Sequence, residues 1–73
     1  MTLDLGTVGT SYIVESLNLP PKVSKRLEAL GMIQGTKVEV LNAKPQGAII
    51  VKVRGTRFAL GKRISSNIHV SGE

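Results

Sequence analysis

The stretch Arg26–Leu41, RLEALGMIQGTKVEVL, changes its hydrophobic period midway. In its first half Leu27 and Leu30 continue a stripe begun by Val23, at helical spacing, while Lys22, Lys25, Arg26 and Glu28 are left toward water. In its second half Val38 and Val40 alternate with Lys37 and Glu39, as in a half-buried strand. Two glycines lie between. Gly31 stands just past the helix, where a left-handed residue is wanted, and Met32 would fold back on Leu27 as the hydrophobic contact of a Schellman ending. Gly35 fits the third position of a type II turn begun at Ile33, where positive φ is required. The stretch reads as a helix cap fused to a turn, with Met32 and Ile33 entering the core.

Upstream, Asn18-Leu19-Pro20-Pro21 stops one element and starts the helix, because proline donates nothing to a ladder and its fixed φ suits a first helical turn. The preceding TSYIVESL, Thr10–Leu17, is β-branched and aromatic, and a period of two puts Ile13 and Leu17 on one face of a strand. Leu3 and Leu5 continue a strand-like alternation in Met1–Gly9, punctuated by Gly6 and Gly9.

Downstream, NAKPQG is a loop and AIIVKVRGTRFAL a hairpin. A type II′ turn centred on Gly55 and Thr56 sets Val53 opposite Phe58 and Val51 opposite Leu60 inside, with Arg54 opposite Arg57 outside and Lys52 on that face. A turn at Arg54-Gly55 would shift the pairing by two and keep the same faces. GKRISSN then supplies a short helical turn, and IHVSG a closing strand with Ile68 and Val70 inward. The sum is a mostly β single domain over residues 1–73. About five strands and one α-helix inserted after the first suggest a small antiparallel barrel that closes to hide its edges.

A chain of 73 residues buries only about 60% of its unfolded surface. With no cysteine it has neither disulfides nor a thiolate metal site to reinforce that core, and with only Tyr12 and Phe58 aromatic, aliphatic residues carry the burial. The longest apolar run, Ala48–Val51, is far short of the ~20 residues that span a bilayer, and no basic-then-hydrophobic leader opens the sequence, so a cytoplasmic location is expected. The net charge is +5, and between Glu39 and Glu73 there is no acid, while Lys44, Lys52, Arg54, Arg57, Lys62 and Arg63 fall in that interval. Such a face suits an acidic protein surface, a nucleic acid or anionic headgroups, or simply keeps the domain soluble.

Little in the sequence points to catalysis. His69 is the sole histidine, so a nucleophile–histidine–acid set has one candidate, placed on a short strand. His69 and Glu73, four apart, would be separated on a strand by roughly 13 Å at about 3.3 Å per residue, so no metal site forms within one chain. Ligands shared between subunits, with His69 as the candidate, are the remaining route to a metal site. GTRFALGKR, Gly55–Arg63, has five residues between its glycines where a phosphate-binding P-loop wants four, and Arg63 where Ser or Thr should hold magnesium. Two aromatics are too few for a proline-peptide groove, and none accompanies the basic residues as a base-stacking platform.

Taken in order, Arg26-Leu27, Leu30-Gly31-Met32, Gly35-Thr36 and the alternating Val38 and Val40, followed by Pro45, Gly47, IIVKVRGTRFAL and ISSNIHV, resemble the FeoA family of ferrous iron transport proteins over nearly the whole chain. Two departures stand out: Gln34 where members often have proline, and Gly61, then Lys62 and Arg63, where arginine tends to follow Leu60. The resemblance implies an SH3-like barrel that acts without catalysis. It implies an accessory protein that binds and modulates the cytosolic GTPase region of FeoB, the membrane ferrous transporter, at the inner face of the membrane. Candidate contacts are Lys52, Arg54 and Arg57 on the hairpin and Lys22, Lys25 and Arg26 on the helix, with Gly31, Gly35 and Gly55 as structural turn and cap positions. The alternatives are a basic barrel that binds RNA or DNA, and a homo-oligomer that binds ferrous iron between subunits.

Overall fold

The computed structural model describes residues 1–72. In it the hand-over at Gly31 and Gly35 folds as the glycines require. Helix α1 spans Pro21–Ala29 with proline in its first turn, and Ser24 N–H closes the first turn on Pro20 C=O at 3.0 Å. At its other end Gly31 has φ +101°, Gly31 N–H donates to Glu28 C=O at 2.9 Å, and Met32 N–H to Leu27 C=O at 3.0 Å. That bond pair is the Schellman motif, and Met32 and Leu27 both lie in the core as its hydrophobic contact. Thr36 N–H then bonds Ile33 C=O at 3.0 Å with Gly35 at φ +88°, the type II turn. Ile33 departs from expectation: it is 38% exposed, because Met32 takes the inward place and Ile33 opens the turn on the solvent side.

Five antiparallel strands, β1 Ser11–Leu17, β2 Lys37–Ala43, β3 Ile49–Val53, β4 Thr56–Leu60 and β5 Ile68–Gly72, form one sheet in the order β4-β3-β2-β1-β5. A short helix, α2 Lys62–Ser65, links β4 to β5. The sheet coils so far that Leu60 from one end and Ile68 and Val70 from the other share a core with Val14, Val38, Val40, Val51 and Val53.

The inward face of β1 carries Tyr12 and Val14, not Ile13. Tyr12 pairs with Val38 and Val14 with Val70, both buried partners, while Ile13 faces Lys37 on the outside. A bulge between Val14 and Ser16 reverses the parity, so Leu17 still packs against the core although Ile13 does not. The alternation read from Ile13 to Leu17 assumed an unbroken strand.

The amino-terminal segment is not strand either. Leu3–Leu5 form a 3₁₀ turn, which at three residues per turn separates positions 3 and 5: Leu3 is fully buried and Leu5 is 69% exposed. Ahead of it, Met1 and Thr2 lie along the outer edge of β5, with Val70 N–H donating to Met1 C=O at 2.8 Å and a bridge from Thr2 to His69. One edge of the sheet is thereby covered. Closure is one-sided, for among the described residues β4 pairs only with β3.

Tyr12 ties this segment down, its hydroxyl oxygen accepting the Thr7 N–H at 2.7 Å. That bond favours the phenolate and holds the Tyr12 hydroxyl below its ordinary pKa.

The β3–β4 turn is Arg54-Gly55, with φ of +51° and +83°, a type I′ turn. The register places Val53 opposite Thr56, Val51 opposite Phe58 and Ile49 opposite Leu60, so the pairing expected from a turn at Gly55-Thr56 is off by two. Gly55 keeps its turn role as the second central residue rather than the first. Arg54 therefore does not face Arg57 across the ladder; Lys52 does. The mirror-image turn matches the strand twist, and that gain outweighs placing arginine in a left-handed conformation.

Candidate functional site

Backbone register assembles the outward face. Ser11, Glu39, Lys52 and Arg57 are successive cross-strand partners over β1, β2, β3 and β4, so they form one row across the sheet. Lys37 lies two residues before Glu39 on the same face of β2, and Arg54 caps the hairpin beyond Lys52. A Cβ placed on Gly31 would sit 3.1 Å from Arg54 Cδ and 3.3 Å from Val53 Cγ1, so the hairpin tip rests directly on the cap of α1. The absent side chain at Gly31 is what admits the Arg54 stem.

Between this tip and the Gly35 turn lies an open groove of about 440 Å³, lined by Gly35, Thr36, Lys37, Glu39, Lys52, Arg54 and Gly55. Three cations and one carboxylate line it, and Arg57 adds a further positive charge beside Lys52. The lining offers no histidine, cysteine or pair of acids for proton transfer or nucleophilic attack. What the groove offers is a positive, solvent-open surface flanked by two glycine turns, suited to carboxylate or phosphate groups of a larger partner.

Of the residues singled out from the sequence, Lys52 and Arg54 line this groove and Arg57 adjoins it. Lys22, Lys25 and Arg26 are exposed together along the outer side of α1 and take no part in the lining. Lys37 and Glu39 belong to the groove and were missed as site residues. Their alternation with Val38 and Val40 shows that they face outward, but only the β2–β3 pairing brings them beside Lys52.

His69 is exposed on β5, opposite Ser16 and bridged to Thr2. Among the described residues no three His, Asp or Glu side chains converge as a metal site, and Glu73 lies outside those residues. Tyr12 is buried and Phe58 is half-buried against the core, so among the described residues neither aromatic presents an open ring for stacking a base. No helix of the described residues is long and apolar enough to cross a membrane.

Comparison with known proteins accounts for the architecture. The FeoA domain family model matches residues 1–72. The solution structure of FeoA from Chlorobium tepidum is 30% identical with a TM-score of 0.92, covering 99% of this chain and 70% of that one. A zinc-complexed FeoA from Stenotrophomonas maltophilia is 33% identical with a TM-score of 0.83, covering 97% of this chain and 89% of its own; it is described as a prokaryotic SH3 domain protein and suggested activating factor for ferrous iron transport. A manganese-dependent transcriptional repressor, 19% identical, contains the same fold, with a TM-score of 0.89 over all of this chain and 41% of its own. A search of curated protein sequences returned no match. The five-stranded sheet with one helix between β1 and β2 is thus an SH3-like barrel, and the chain belongs to the FeoA family of ferrous iron transport proteins.

Proposed function

We propose that this protein is a non-catalytic accessory of ferrous iron uptake that works in the cytoplasm, binding the cytosolic GTPase region of a FeoB-like transporter and modulating GTP hydrolysis or gating. Family membership over residues 1–72 is the observation that carries the reading. The groove between the hairpin tip and the Gly35 turn supports the partner contact, since it is positive and open. In this reading Lys52, Arg54 and Arg57 make the principal contact, and Lys22, Lys25 and Arg26 on α1 make a second one with the same partner or with the headgroups beside it. Ferrous iron is the transporter's cargo and the accessory acts through protein contact.

The test is GTP turnover by the isolated cytosolic domain of a FeoB-like transporter, with and without this protein at low salt. The expected result is a saturable change in turnover that the double variant Lys52→Glu/Arg54→Glu diminishes. Turnover unchanged at saturating protein, with no complex formed in any nucleotide state, would overturn the proposal.

A further inference from the structure

The two ends of the sheet are treated differently. Met1 and Thr2 occupy the outer edge of β5, whereas β4 ends the sheet on its other side. In a hairpin closed by a two-residue type I′ turn, the residues flanking the turn, here Val53 and Thr56, exchange backbone hydrogen bonds. Antiparallel pairs then alternate, so Lys52–Arg57 and Ile50–Ala59 are the non-hydrogen-bonded pairs. The N–H and C=O groups of Arg57 and Ala59 consequently point away from β3, into the open edge. Both residues are exposed. Unpaired donors and acceptors at two-residue spacing are a template for one more strand.

Charge decides which strand fits. β4 contains no acid, Arg57 lies on it, Lys52 is its neighbour in the row, and Arg54 stands at the tip. A second copy of this chain adding edge to edge would bring one cationic strand against another, and like charges at close cross-strand positions are unfavourable. Cations of one sign thus guard the edge against self-association. The same cations attract an extended segment whose alternate residues are acidic, because those residues would share the face of Arg57 and Lys52.

We propose that the outer edge of β4 is a docking site for an extended acidic segment of a partner protein, which adds as a sixth strand through the backbone groups of Arg57 and Ala59 and is selected by Arg57 and Lys52. It refines the reading that this face binds a protein partner and rests on it.

The test uses the full chain and a capped synthetic peptide in which glutamate alternates with threonine, with amide hydrogen exchange followed residue by residue by NMR. The Arg57 and Ala59 amides are expected to slow roughly tenfold or more on peptide addition, and a lysine–threonine peptide to leave them unchanged. Ala59→Pro removes an edge N–H that the β3 ladder does not use, a placement proline tolerates on edge strands, and is expected to weaken peptide binding about tenfold. Should that variant fail to fold, Arg57→Glu keeps the backbone and is expected to lose the acidic peptide and gain the basic one.

Peptide binding without slowed exchange at Arg57 and Ala59 would overturn strand addition in favour of side-chain anion binding. Slowed exchange that depends on protein concentration without peptide would assign the edge to a second copy. A FeoB-like cytosolic domain that binds wild type and Ala59→Pro equally would overturn this proposal and spare the partner reading. Failure of that domain to bind, with the peptide still protecting both amides, would do the reverse.

Discussion

Gly31 and Gly35 both have left-handed backbone, yet alanine at each should have a different cost. At Gly35, with φ +88°, an added Cβ meets nothing within 4 Å. The substitution then carries only the conformational penalty of an L side chain at positive φ, about 1–2 kcal/mol. Restricting the unfolded chain offsets about 0.4–1 kcal/mol of it, leaving a net loss of about 1 kcal/mol. At Gly31, φ +101°, the same penalty applies, and the Cβ also lies 3.1 Å from Arg54 Cδ and 3.3 Å from Val53 Cγ1. Arg54 is exposed and can swing aside, but Val53 is fully buried among the core valines and has nowhere to move. Overpacking of that kind adds about 1–3 kcal/mol, for a total of about 2–4 kcal/mol. The 73-residue chain has roughly 4–11 kcal/mol in all, at about 0.05–0.15 kcal/mol per residue. Gly31→Ala therefore brings the fold near its limit and Gly35→Ala does not. Urea unfolding followed by circular dichroism, with a slope of about 1 kcal/mol per molar, should show midpoints lowered by about 1 M for Gly35→Ala and by two or more times that for Gly31→Ala. Equal losses, or a larger loss at Gly35, would refute the claim that the hairpin tip rests on the helix cap.

Two further outcomes are open to direct measurement. Tyr12 is the single tyrosine, so phenolate absorbance reports it alone. The Thr7 amide lowers its folded pKa below 10.0, so between the folded and unfolded values the unfolded chain holds more protons. Stability should thus rise with pH across that window, and the contribution should vanish as pH falls through the folded value. The titration midpoint should move upward on adding denaturant; a folded midpoint at or above the denatured one would contradict the hydrogen bond, whose removal in Tyr12→Phe should lower stability by about 1 kcal/mol. Arg54→Asn suits the left-handed first position of a type I′ turn and should raise the urea midpoint by several tenths of a molar, while weakening partner binding. Loss of stability with partner binding unchanged would mean that Arg54 is retained for packing on Gly31 alone.

What the sequence made readable was local. Gly31, Met32 and Gly35 act within a few residues of one another, through bonds whose partners are fixed by chain geometry, and their roles as cap, core anchor and turn follow from spacing alone. The misreadings share another cause. Ile13 and Leu17 do not share a face as a period of two predicts, because the bulge between Val14 and Ser16 is invisible in an alternation of apolar residues. The hairpin register had two readings, because Gly55 fits a type II′ turn at its first position as well as a type I′ turn at its second; the structure takes the second, at Arg54-Gly55, and that choice lies in strand twist. Leu3 and Leu5 obey a strand period in a segment too short to reveal that it coils. For the site, the cations of β3 and β4 were visible as an acid-free run, but the groove also needs Lys37 and Glu39 from β2 and Gly35 from the turn before it. Only long-range pairing brings these together, and no motif announces it.

Titration calorimetry at low salt decides whether the hairpin face binds the cytosolic region of a FeoB-like transporter, as proposed. Wild-type protein should bind, binding should weaken as salt rises, and Lys52→Glu/Arg57→Glu should reduce affinity well beyond the effect of Lys22→Glu/Lys25→Glu on α1. Binding that is unchanged by the hairpin pair, or lost only with the helix pair, would rule out the hairpin face and move the interface to the helix.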